Sequence, residues 1–117
     1  MINQRVIDLR KRVARETEGL TVSQLFEHVR NEAARLFSEA DPFSILVVID
    51  PPGPPQEETG YVARLAVGGV IHVRPAGLAG GRGDDCLSVA LIDLTGSIAI
   101  ELEGGIDALY DKKEAQP

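Results

Sequence analysis

The sequence predicts an α+β fold, with two N-terminal helices packed on one face of a five-stranded, mostly antiparallel, meander-like sheet. Three observations carry this expectation. Apolar residues recur every three to four positions up to Asp41-Pro42. Beyond that point they come in short β-rich runs interrupted by Gly and Pro. Two short segments, Gly68-Gly69 and Asp93-Leu94-Thr95-Gly96, lie between such runs and read as hairpin turns.

The first helix is expected over about residues 2–16. Ile2, Val6, Leu9 and Val13 stack on one face, a stripe narrow enough to meet another chain, and an Arg/Lys cluster occupies the opposite face. Gly19 supplies the break. The second helix, about 21–40, is the best-specified element. Thr21 and Gln24 form a capping box, Leu20 and Leu25 stand at the positions of a hydrophobic staple, and Pro42 disfavours helical geometry at Asp41. Val22, Leu25, Phe26, Val29, Ala33, Leu36 and Phe37 mark its broad apolar face.

Five strands are expected at about 43–49, 61–67, 70–74, 87–92 and 97–103. The first is apolar on both faces except at Ser44, as a central strand is. Pro51 to Thr59, with four prolines, reads as a stiff exposed linker. If Gly68-Gly69 is a two-residue turn, Val67 opposes Val70, Leu65 opposes His72 and Ala63 opposes Arg74. That register puts His72 and Arg74 on one face and Arg64 beside Val73 on the other. Ile98, Ile100 and Leu102 alternate with Ser97, Ala99, Glu101 and Glu103, the period of a half-buried strand, and Gly104-Gly105 ends it. Residues 1–110 are read as one domain and 111–117 as a flexible tail.

Composition narrows the function classes. Net charge is −6, unevenly placed: residues 1–19 carry five basic and three acidic side chains, the other 98 seven basic and fifteen acidic. So acidic a body repels a phosphate backbone, and nucleic-acid binding is not expected. A single cysteine, Cys86, cannot make an internal disulfide, and no apolar run approaches a membrane span. A cytoplasmic protein without membrane association is the expectation.

Chemistry has few places to sit. Gly77 to Asp85 holds four glycines, but no Lys accompanies them and Asp84 and Asp85 repel an anion, so the segment reads as a connecting loop. Those two aspartates lack the ligand spacing of a calcium loop, and no metal or cofactor is expected. Cys86 follows two acids that suppress its thiolate, and His28 reads as a partly exposed helix histidine. No catalytic residue stands out. The ligand-binding candidates are His72 and Arg74, a pair able to hold an anion, together with Arg82 of the glycine-rich segment. Val6, Leu9, Val13, Arg64 and Val73 are the candidates for a protein interface.

Two functions compete. One is a non-enzymatic binding, adaptor or assembly protein acting as a self-associating subunit, a dimer most simply, because two helices cover only one face of an apolar sheet. The other is a small enzyme or anionic-ligand binder, with a pocket holding His72 and Arg74 between sheet and helices.

Overall fold

The computed structural model describes residues 4–50, 61–73 and 87–105; of His72 it describes the backbone only. In chain order these residues form helix α1 (Gln4–Thr17), helix α2 (Val22–Leu36), a 3-10 turn (Pro42–Ser44), strands β1 (Ile45–Asp50), β2 (Val62–Val67) and β3 (Val70–Val73), and helix α3 (Leu87–Leu102). The class is α+β with an antiparallel sheet, but the expected architecture is overturned. Three strands are present, not five, and helices stand at both ends of the strand region rather than only before it.

The expected strands at 87–92 and 97–103 are the two halves of α3, and Asp93-Leu94-Thr95-Gly96 is its middle rather than a turn. The physical reason is burial. Every residue from Ala90 to Ile100 is buried except Ile92, which is partly so. A helix enclosed on all sides has no wet face, so apolar residues outside its core stripe mask the amphipathic period that marks a helix. Gly104 and Gly105 do stop the element, but as a helix end: both have positive φ, and Gly105 N–H donates to the Ile100 carbonyl at 2.9 Å.

Two helices flank α3. Leu9 and Val13 of α1 pack on Ala99 and Ile100, with Val6 and Ile92 at the margin. Leu25, Val29 and Ala33 of α2 join Ala90, Leu91, Leu94 and Ile98 in a larger core. The capping box at the start of α2 is present in full: Gln24 N–H donates to Thr21 Oγ1 at 3.2 Å, and Thr21 N–H to Gln24 Oε1 at 2.9 Å. The helix ends at Leu36, short of Pro42, because Phe37 leaves helical geometry and packs with Ala40 against the core. Asp41 then caps the 3-10 turn, its Oδ1 accepting from Phe43 N–H at 3.0 Å.

The sheet order is β1-β2-β3, so β1 is an edge strand and not the central one expected. Ile45 pairs with Val67 and Asp50 with Val62. Gly68 and Gly69 both have positive φ, as a two-residue hairpin turn needs, and Val67 opposes Val70 as expected. The register then slips. Ala66 pairs with Ile71 and Leu65 with Val73, leaving His72 as the extra residue of a bulge. Ile45, Ala63, Leu65 and Val73 are thereby buried against the helices.

Replacing Leu94 by Pro distinguishes the helix from a turn. Leu94 is fully buried, and proline inside a helix costs about 3 kcal/mol beyond the lost side-chain burial. Thermal unfolding of Leu94→Pro is therefore expected to show loss of the native transition, whereas a hairpin turn would accept proline there with little change. Thr21→Ala is expected to lower stability by about 1 kcal/mol, the usual cost of a lost N-cap, in chemical denaturation.

Candidate interaction site

Among the described residues no helix lies against the second face of the sheet. Along β1, Ile45, Val47 and Ile49 point into the core, so alternation directs Leu46, Val48 and Asp50 outward. Across β2 the outward set is Val62, Arg64 and Ala66, and Ile71 joins it from β3 through its pairing with Ala66. The face is therefore mainly apolar: Leu46, exposed, Ala66, buried between its neighbours, and Ile71, half-buried, form a row across the sheet, with half-buried Val48 and Val62 beyond.

Its polar feature is one ion pair. Arg64 Nη2 lies 2.7 Å from Asp50 Oδ2, joining β2 to β1 diagonally. Both side chains keep about a third of their surface in water, so the pair adds at most about 1 kcal/mol to stability. Its larger effect is on partner choice, since anything laid on the face must accommodate a paired charge at that end.

The opposite end is bare hydrocarbon. Gly68 N–H donates to the Ser44 carbonyl at 3.1 Å, which ties the β2–β3 turn to the 3-10 turn. Phe43, Leu46 and Val70 lie near that junction and are 88 %, 53 % and 58 % exposed; Leu46 is on the outer face, and Val70, opposite Val67, on the helix-facing side. Three of the four large exposed apolar side chains among the described residues thus share one end of the sheet.

The sequence-predicted site residues scatter. Leu9 and Val13, expected to face another chain, are buried on α3 within the same chain, with Val6 beside them. Val73 is buried in the core, and Arg64 lies on the outer face with its partner Asp50. The bulge causes the correction to the β3 faces: without it Leu65 would oppose His72, whereas it opposes Val73. The His72 side chain, Arg74, Arg82, the Gly77–Asp85 segment, Cys86, the 51–59 linker and the 111–117 tail lie outside the described residues. His28 Nε2 approaches Glu16 Oε1 at 3.8 Å, too long for a hydrogen bond, and Glu32 pairs with Arg35 at 3.0 Å.

One polar group escaped the sequence reading. Asp93 sits mid-way along α3 with no exposed surface, beside buried Thr95 and Ser97. Thr95 Oγ1 donates to the Leu91 carbonyl at 2.8 Å and Ser97 Oγ to the Asp93 carbonyl at 3.4 Å, so both hydroxyls are satisfied within the helix. The missed signal was the +4, +3, +4, +4 spacing of Leu87, Leu91, Leu94, Ile98 and Leu102, all of which pack in or against the larger core.

Among the described residues no group of three His, Cys, Asp or Glu side chains is placed to hold a metal ion, and no helix is long and apolar enough to cross a membrane. No protein-family model, curated protein or solved structure matches the chain.

Proposed function

We propose that the chain is a non-enzymatic binding or assembly subunit that self-associates through the helix-free face of its sheet. The observation that carries this reading is the apolar row Leu46–Ala66–Ile71, with Leu46 exposed at its β1 end, on a face that no described helix covers. Apolar surface gathered at one place gains free energy when a matching surface excludes water from it.

A second copy of the chain is the simplest match. A two-fold axis through the sheet face sets each apolar row against its equivalent and lets each Arg64–Asp50 pair meet its own complement. β1 adds a further route, because an edge strand offers unpaired backbone groups to a neighbour. A catalytic reading finds less support: among the described residues the open face presents one ion pair and no convergent polar groups.

Size-exclusion chromatography with light scattering tests the proposal. The wild-type chain is expected to elute as a dimer at micromolar concentration, and Leu46→Glu as a monomer with the same circular dichroism spectrum. A wild-type chain that stays monomeric up to millimolar concentration would contradict it.

A further inference from the structure

We infer that a cleft on the far side of α3 binds a small amphiphilic anion, an unbranched hydrocarbon chain ending in a carboxylate. The cleft encloses about 780 Å³ and is built from α1, the α1–α2 turn, the start of α2 and the first turns of α3. That volume lies within the range of pockets that hold small molecules, ~300–1,000 Å³.

Its walls divide by chemistry. Ile7, Leu20, Leu25 and Ile92 supply a hydrocarbon floor. Arg10, Lys11 and Arg15 stand along the α1 side, and Glu18 is the one acid among the described lining residues. The cations are there because α1 has two faces to serve. Leu9 and Val13 go to α3, so the residues one and two positions away fall along the cleft.

Three other described cations are occupied in ion pairs, Arg12 with Glu16 and Glu103, Arg35 with Glu32, and Arg64 with Asp50, and Arg30, which has none, lies away from this cleft. Among the described residues Lys11 and Arg15 form no ion pair and lie at the mouth of an apolar cavity. In a chain of net charge −6, that concentration of positive charge beside hydrocarbon is complementary to a ligand that is anionic at one end and apolar along its length. Burial of the chain gives affinity that grows with its length, and the cations fix the direction of entry.

The site shares no named residue with the sheet face, so it stands or falls independently of self-association. The test is titration calorimetry on the full chain with dodecanoate below its micelle concentration, beside dodecanol and dodecyltrimethylammonium. Dodecanoate is expected to bind with one site per chain, at least tenfold tighter than either control. Lys11→Glu with Arg15→Glu is expected to weaken it at least tenfold. Ala14→Phe, which places a ring in the cleft from an exposed helix position, is expected to abolish binding without changing the thermal unfolding curve.

Three results overturn the inference. They are equal binding of all three amphiphiles, dodecanoate affinity that the charge reversals leave unchanged, and binding to anionic lipid vesicles or a Glu-rich peptide in place of free dodecanoate. Leu46→Glu is the control for the other face and is expected to leave dodecanoate affinity within twofold.

Discussion

Everything in this fold depends on hiding α3. The segment from Ala90 to Ile100 presents Leu91, Leu94 and Ile98 to one side and Ile92, Ala99 and Ile100 to another, and nearly all of it is out of water. A helix like that is unstable alone, since burying each Leu or Ile is worth about 1.5–3 kcal/mol only when something covers it. The chain supplies the covers in turn: α1 for the Ala99 side, α2 and the sheet for the Leu91 side. The polar residues within the helix obey the same constraint, and Thr95 and Ser97 turn their hydroxyls back onto its own carbonyls.

That demand fixes what is left over. The sheet gives one face to the helical layer, through Ile45, Ala63, Leu65 and Val73, and among the described elements nothing lies against the other. The bulge at His72 keeps the arrangement consistent: Ile71, before it, pairs with Ala66 on the outer face, and Val73, beyond it, is moved onto the inner one. On the opposite side, α1 packs on α3 with a narrow stripe only. A narrow stripe leaves its cationic residues beside the gap at the α1–α2 turn. The two surfaces proposed for binding are thus both consequences of a small helical layer organised around one buried helix.

The sequence showed clearly those parts where a local rule and the tertiary demand agree. Thr21 and Gln24 cap α2 whatever the helix packs against, and Gly68-Gly69 turns the hairpin because both residues need positive φ. What misled was α3. Ile98, Ile100 and Leu102 alternate as in a strand, Thr95-Gly96 resembles a turn, and a helix buried all round shows neither period clearly. The register of β3 was illegible for a different reason. A bulge shifts every face beyond it by one residue and leaves no mark in composition, so Val73 was expected on the face of Arg64 and His72 opposite Leu65. The buried acid of α3 was lost with the helix that carries it.

Amide hydrogen exchange read residue by residue bears most directly on this arrangement. With α3 as the enclosed hub, the amides of residues 94–100 are expected to be the slowest in the chain and to exchange only through global unfolding. Strands β1 and β2 would follow, and the N-terminal turn of α1 would exchange early. Rapid exchange at Leu94, Thr95 and Gly96, as at the exposed tip of a hairpin, would contradict it.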